Sequence, residues 1–147
     1  MSEERIPIQV KLITEIRDKD NKQEIVVEEP GDYIQKGDAY VLRFTEHHEQ
    51  EQSIDNLVTI RPGKVIVRRT GPVRMHQVFE DKKMTENIYH HPYGTFHMQT
   101  TTRSIDHKEA DDHLNGSLTI QYDLEMNGQE KQRHQLSLQY KEEESRV

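Results

Sequence analysis

The sequence predicts an all-β protein, specifically a closed antiparallel meander β-barrel of eight to ten strands. Its 12 Ile, 10 Val and 10 Thr stand beside only 2 Ala, and β-branched residues of this kind favour strands. Apolar residues recur at every second position along most of the chain, and the helical period is absent. Turn residues separate these short segments, which indicates a meander, and closing the sheet into a barrel protects its edges.

Three strands follow from this pattern in the first part of the chain. The first strand has one apolar face, formed by Ile6, Ile8, Val10, Leu12 and Ile16. A polar turn at residues 18–21 leads to a short second strand around Ile25 to Val27, and we expect this strand to end at the turn residues Pro30 and Gly31. The third strand alternates at Tyr40, Leu42 and Phe44. It ends before the polar loop at residues 47–51.

The alternation continues through the rest of the chain. Apolar residues alternate before and after the turn at residues 62–63, and again after the kink at residues 71–72; they are Ile54, Val58, Ile60, Val65, Val67, Val73, Met75 and Phe79. A short strand at residues 88–89 precedes a turn at residues 92–94, and a Thr-rich strand covers residues 95–105. The last two strands alternate most clearly, at Leu118, Ile120, Tyr122 and Leu124 and then at Leu136, Leu138 and Tyr140.

The polarity of the chain is consistent with this sheet. Only 31% of the residues are apolar and 32% are charged, with a mean hydropathy of −1.02. An antiparallel sheet that buries one face and exposes the other to water needs no larger apolar fraction. The length of 147 residues fits one domain. We expect a single barrel domain over residues 1–147, with an ordered core at about 5–141.

The composition disfavours several partners and kinds of chemistry. The 27 acidic and 20 basic residues give a net charge of −7, which disfavours nucleic acid or an anionic membrane as a partner of the whole surface. The chain has no cysteine, so a disulfide framework, a thiolate nucleophile and a thiolate-bound metal are excluded. We find no signal peptide and no apolar run long enough to cross a membrane. The expected location is the cytoplasm.

Strand pairing predicts that some polar residues face the barrel interior. A two-residue loop at residues 62–63 pairs the apolar residues of the flanking strands, and the same phase pairs Asn56 with Arg69 on the inner side. Gln77 joins them if the kink at residues 71–72 preserves the phase.

The last hairpin adds a further polar residue to the interior. A three-residue loop at residues 126–128 pairs Leu118 with Leu136, and it places His134 opposite Ile120 on the inner side.

Two interpretations of these inward polar residues stay open. They lie at the rims, where strands leave the core, or they line an internal pocket of the kind that ligand-binding barrels have. On the second interpretation we expect non-enzymatic binding of a small, partly apolar and possibly anionic ligand. Its polar anchors are Arg69, Gln77 and His134, and its walls are Tyr122, Met75, Phe79 and Phe96. The alternative is a barrel that binds another protein or forms a homodimer and has no small-molecule ligand.

The remaining candidate sites are weaker. Seven of the nine His residues fall into three groups, formed by His47 and His48, by His90, His91 and His97, and by His107 and His113 among acidic neighbours. None of these spacings matches a known ligand motif, so we expect neither a metal nor another cofactor. The chain contains no phosphate-binding glycine loop and no nucleophile elbow, so we expect no enzymatic activity.

One segment of this acidic chain is basic. Residues 56–79 contain no Asp or Glu and carry Arg61, Lys64, Arg68, Arg69 and Arg74. On the strand phase Lys64, Arg68 and Arg74 share the outer face. Either acids on neighbouring strands balance this charge, or the stripe contacts an anion or single-stranded RNA.

The motifs taken together resemble the YwiB-like family of small bacterial proteins. They are Arg69, Gly71, Val73, Met75, Gln77 and Phe79, then Pro92, Tyr93 and Gly94 with the strand that follows, and finally Tyr122, Leu124, Asn127, Gly128, Leu136 and Leu138. The resemblance implies a closed barrel of the calycin, or lipocalin-like, class and a cytosolic location. It implies no catalytic or ligand-binding residue. The chain has no Trp and so lacks the Gly-x-Trp signature of secreted lipocalins, which weighs against transport of a lipocalin-type ligand.

Overall fold

Ten antiparallel strands close into one barrel in the computed structural model, which describes residues 5–49, 52–110 and 115–143. The strands are β1 (Ile6–Asp18), β2 (Asn21–Lys36), β3 (Ala39–Glu46), β4 (Ile54–Arg61), β5 (Lys64–Thr70), β6 (Arg74–Glu80), β7 (Met84–His91), β8 (Gly94–Glu109), β9 (Asn115–Met126) and β10 (Gln132–Glu142). Each strand pairs with the next, and β1 also pairs with β10. The predicted closed antiparallel meander is confirmed. The described residues include no helix long and apolar enough to cross a membrane.

The hairpin of β4 and β5 has the predicted register. Asn56 lies opposite Arg69 and Ile60 lies opposite Val65, with Gly63 in the left-handed conformation that the tight turn requires (φ 72°). Gln77 lies opposite Val67, so the phase survives the kink between β5 and β6. The inward orientation of these polar residues is therefore confirmed.

The register of the last hairpin differs from the prediction by two residues. His134 lies opposite Tyr122, not opposite Ile120. Asn127 and Gly128 both have positive φ and make a two-residue turn, closed by a hydrogen bond from the Gln129 N–H to the Met126 carbonyl (2.9 Å). Three further residues then separate this turn from β10. Because the shift is even, His134 still faces inward.

The prediction that the second strand ends at Pro30 and Gly31 is wrong. Both residues lie inside β2, and β3 pairs with β2 only from Gly31 onward. On the side of β3, no strand pairs with Pro30, so the N–H that proline lacks costs no hydrogen bond there. Gly31 is required for a different reason, because a Cβ at this position would collide with the carbonyl oxygen of Arg43.

Side chains fill the middle of the barrel. The Phe79 ring packs edge-on against the Tyr122 ring, with centroids 4.8 Å apart. The Gln77 amide donates a hydrogen bond to the Thr100 hydroxyl (3.0 Å). Aliphatic residues around them are fully buried, among them Ile8, Val10, Leu42, Ile60, Val65, Leu118, Ile120 and Leu138. The predicted apolar face therefore forms the core.

The ladder between β6 and β7 is short. Only Arg74 with His90 and Met75 with Tyr89 pair there. Beyond them Asn87 accepts a hydrogen bond from the backbone N–H of Val78 (3.2 Å), and the Thr85 hydroxyl donates to the Val78 carbonyl. Side chains of β7 thus replace the missing backbone bonds and keep the barrel closed.

Candidate ligand-binding site

The connections of the meander alternate between two ends of the barrel, and the ends differ in chemistry. One end, called here the arginine end, carries Glu46, Asn56 and Arg69 at the loop sides of β3, β4 and β5. The opposite end, called here the tyrosine end, carries Tyr33, Tyr40, His107, Glu109 and Tyr140. Each end is a candidate entrance to the interior.

The predicted anchor Arg69 is engaged by an internal carboxylate. Its Nη2 lies 2.9 Å and its Nε 3.2 Å from Oε2 of Glu46, and the Glu46 side chain is only 6% exposed. The Asn56 amide donates to the same carboxylate oxygen (2.7 Å). A ligand anion at Arg69 would therefore compete with a buried partner that is already in place.

A second inward carboxylate lies beside this pair. Glu29 accepts a hydrogen bond from the backbone N–H of His47 (2.9 Å), and its carboxylate lies 3.3 Å from the His47 ring. The His48 ring lies 3.5 Å from Glu46. Two carboxylates and one guanidinium thus lie together at the arginine end, and these three groups carry no excess positive charge.

The other predicted site residues lie in two layers. Met75 is opposite Arg69, and Tyr89 links Met75 to Phe96 across the next two ladders, so these residues form one row at the arginine end. The remaining residues, Gln77, Phe79, Tyr122 and His134, lie deeper, in the filled middle. The structure therefore does not bring the seven predicted residues together around one space.

His134 carries an unpaired buried atom. Its ring packs on Tyr122 with centroids 5.1 Å apart, and its Nδ1 has no hydrogen-bond partner among the described residues. The hydroxyl of Thr102, in the same row on the other side of Tyr122, is also unpaired within the described chain. Burial lowers the pKa of His134 to about 4, against a smaller opposing effect of Asp123. The imidazole is therefore neutral at neutral pH.

The tyrosine end is built from aromatic rings in contact. The Tyr33 ring stacks on Tyr140 at 5.8 Å and lies 5.8 Å from Tyr40. The His107 ring meets Tyr40 edge-on at 5.3 Å, and its Nε2 lies 3.0 Å from the Tyr140 hydroxyl. Strands β2, β3, β8 and β10 each contribute to this cluster.

Burial and Glu109 set the protonation states of the cluster. A hydrogen bond to Glu109 raises the pKa of Tyr40, with burial adding to the effect. Burial, followed by the charge of Glu109, raises the pKa of Tyr33 to about 12 and also raises that of Tyr140. Burial lowers the pKa of His107. At neutral pH this end therefore presents neutral phenols and a neutral imidazole around one carboxylate.

A cavity of about 420 Å³ opens beside this cluster, a volume within the range of roughly 300–1,000 Å³ that small-molecule sites occupy. Ile60 and Ile105 form its apolar part, Tyr40 and His107 its polar aromatic walls, and Asp38 and Arg61 its rim, with the turn at residues 62–63 closing one side. This combination of apolar walls with a few polar groups can hold a small organic molecule in one orientation.

Sequence reasoning did not select the tyrosine end. His107 entered only as a member of a metal group, whose other histidine, His113, lies outside the described residues. Within the described parts of the chain, no three His, Asp or Glu side chains come together to hold a metal ion. The alternation of Tyr40 with Leu42, and of Tyr140 with Leu138, was a signal that both rings face inward. It carried no information on which end of the barrel they share.

Residues 10–138 match the family model described as a domain of unknown function, DUF1934. The chain belongs to this family. The predicted resemblance to YwiB-like proteins is confirmed by a relative, the uncharacterized β-barrel protein YwiB of Bacillus subtilis. It is 27% identical over 135 residues, which cover 91% of this chain and 92% of YwiB.

The fold agrees with that of the solved relative. The crystal structure of the ywiB protein from Bacillus subtilis superposes with a TM-score of 0.84 at 26% identity, covering 95% of this chain and 94% of the other. This chain and the ywiB protein thus share a β-barrel fold. The chemistry of this member has to be argued from its own side chains.

Proposed function

We propose that this barrel is a non-enzymatic binding protein that takes a small, partly apolar ligand at the tyrosine end. The observation that carries the proposal is the cavity of about 420 Å³ walled by Tyr40 and His107. Its aromatic walls offer stacking surfaces, and its polar groups offer directional hydrogen bonds. A cytoplasmic location stays a prediction from the sequence.

The charges around the cavity favour a neutral or cationic ligand over an anionic one. Glu109 lies beside the phenols of the cluster, whereas the charges of Asp38 and Arg61 at the rim offset each other. At the arginine end, the guanidinium that was predicted to attract an anion is paired with Glu46. We therefore propose a planar, partly apolar molecule, neutral or cationic, with a hydrogen-bond donor that faces Glu109 beside the phenols.

Three probes with the same ring system and different charge test this function. They are 2-naphthol, naphthylmethylammonium and 2-naphthalenesulfonate, and isothermal titration calorimetry measures their binding. We expect the neutral and cationic probes to bind more tightly than the anionic one. Tyr40→Ala should weaken their binding about five- to thirtyfold, because it removes a stacking wall worth roughly 1–2 kcal/mol.

A matched control lies at the other end of the barrel. Tyr93 is 91% exposed, so Tyr93→Ala removes an equal side chain without touching the cavity and should leave binding unchanged. Native mass spectrometry of freshly purified wild-type protein and of both variants then searches for a natural ligand. An extra mass that Tyr40→Ala loses and Tyr93→Ala keeps supports the proposal. Equal binding by both variants, or no binding of any probe at millimolar concentration, overturns it.

A further inference from the structure

Part of β2 has a strand partner on one side only. β1 pairs with β2 from Asn21 to Tyr33, whereas β3 pairs with β2 only from Gly31 to Lys36. On the side away from β1, residues 21–29 pair with no strand in the described chain. We call this segment the β2 overhang. It leaves backbone N–H and C=O groups open on an otherwise closed barrel.

The overhang is ordered and apolar at its centre. Its pairing with β1 is continuous up to the turn between Asp18 and Asn21, so the strand is held extended before anything binds. Ile25 is 45% and Val26 48% exposed, which places them among the large apolar side chains left in water. The two side chains point to opposite faces of the strand, so a strand that pairs with this edge would flank one of them on each face.

We propose that a second copy of this chain binds here, so that two barrels join through antiparallel pairing of their β2 overhangs. A two-fold axis perpendicular to the sheet relates the two strands in such a dimer. Directly opposite residues then lie on the same face of the joined sheet. Only registers that match outward residues with outward residues, and inward with inward, are allowed.

Charge selects one of these registers. With Ile25 on the axis, Lys22 of each copy lies opposite Glu28 of the other, which makes two ion pairs. Within its own chain Lys22 contacts Glu15, and Glu28 lies 3.6 Å from Lys11, so the dimer extends these exposed pairs across the interface. Placing Glu24 on the axis sets two like charges together. Placing Val26 on the axis opposes Glu24 to Glu28 and Lys22 to Pro30. Placing Gln23 on the axis also opposes Lys22 to Glu24, but that register pairs only residues 21–25. The register centred on Ile25 makes its two ion pairs and pairs the whole overhang, so it is the one that the overhang's own sequence favours. This complementarity is the reason for choosing a second copy as the partner.

An engineered cysteine tests the register directly, because the chain has no cysteine of its own. In the proposed dimer, the two copies of Ile25→Cys face each other at the distance that a disulfide requires. We expect mild oxidation to link most of the chains in pairs. Glu28→Cys is the matched control, because each such cysteine lies opposite Lys22, far from its own copy, and should give little cross-linking.

Charge reversal tests the affinity. Analytical ultracentrifugation of the wild-type protein should show a concentration-dependent dimer. Lys22→Glu and Glu28→Lys each replace two attractions by two repulsions and should raise the dimer Kd at least about tenfold. The double variant, Lys22→Glu with Glu28→Lys, should restore it. Lys108→Glu, a reversal on another exposed residue, controls for net charge, and thermal unfolding checks that each variant folds. A wild-type monomer at all concentrations, or a dimer that none of these changes weakens, overturns the proposal.

Discussion

The arginine end and the tyrosine end of the barrel differ in how their buried polar groups are partnered. At the arginine end, a buried carboxylate is neutralised by a guanidinium at 2.9 Å and accepts a further hydrogen bond from an amide at 2.7 Å. At the tyrosine end, neutral hydroxyl and imidazole groups surround one carboxylate and leave a cavity beside them. The first arrangement is complete in itself. The second retains polar groups directed toward a space, and for this reason we place the ligand there.

The largest expected effect comes from breaking the ion pair between Arg69 and Glu46 at the arginine end. Arg69→Ala leaves the Glu46 carboxylate buried without its cation, and we expect a loss of about 3 kcal/mol in the free energy of unfolding. Urea denaturation measures it. The control is Arg103→Ala, whose partner Asp123 is also 2.9 Å away but whose own side chain is 40% exposed. That variant should lose less than about 1 kcal/mol. Similar losses in the two variants would contradict the contrast between an internal and a surface pair.

The buried imidazole of His134 should make the stability of the protein depend on pH. The pKa of His134 is about 4 in the folded protein, below its usual value of 6.5, so the unfolded chain binds the proton first. Stability is therefore complete above about pH 6.5 and falls as the pH drops toward 4, by up to about 3 kcal/mol. His107 acts in the same direction at the tyrosine end. Urea denaturation at a series of pH values should show a flatter profile for His134→Leu, and an unchanged profile would refute this assignment.

A methyl group added next to the Tyr140 ring tests how closely the side chains pack at the tyrosine end. A Cβ at Gly116 would overlap the Tyr140 ring, so Gly116→Ala should displace that ring and cost roughly 1–3 kcal/mol. Ser117→Ala, at the next position and on the outer face, should cost little. Thermal unfolding of the two variants provides the comparison. If Gly116→Ala is as stable as the wild-type protein, the ring is free to move and the cavity is less well formed than we describe.

The smallest expected effect concerns one hydroxyl group. Tyr140→Phe removes the partner of His107 Nε2 at 3.0 Å and should cost about 1 kcal/mol. It should also weaken probe binding at the tyrosine end, because the His107 ring that lines the cavity loses the group that orients it. Tyr93→Phe changes an exposed ring and should affect neither quantity. The loss in the free energy of unfolding can then be compared between a neutral hydrogen bond at the tyrosine end and the ion pair of Arg69 at the arginine end.

Much of the barrel could be predicted because strand alternation is local. The inward orientation of Arg69, Gln77 and His134 follows from residue parity and hairpin pairing, and the structure confirms it. The end of the second strand could not be predicted from Pro30 and Gly31. Whether proline and glycine end a strand depends on which neighbour lies beside them, and here β3 begins its pairing only at Gly31.

The sequence by itself determined the fold class, the faces of the strands and the polar character of part of the interior, since these depend on the order of neighbouring residues. Only the tertiary structure decided that Glu46 neutralises Arg69, that Tyr33, Tyr40 and Tyr140 meet at one end, and that β2 extends past β3. These features depend on the stagger between strands far apart in the chain. Closing ten strands into a barrel sets that stagger, and no single hairpin contains the information.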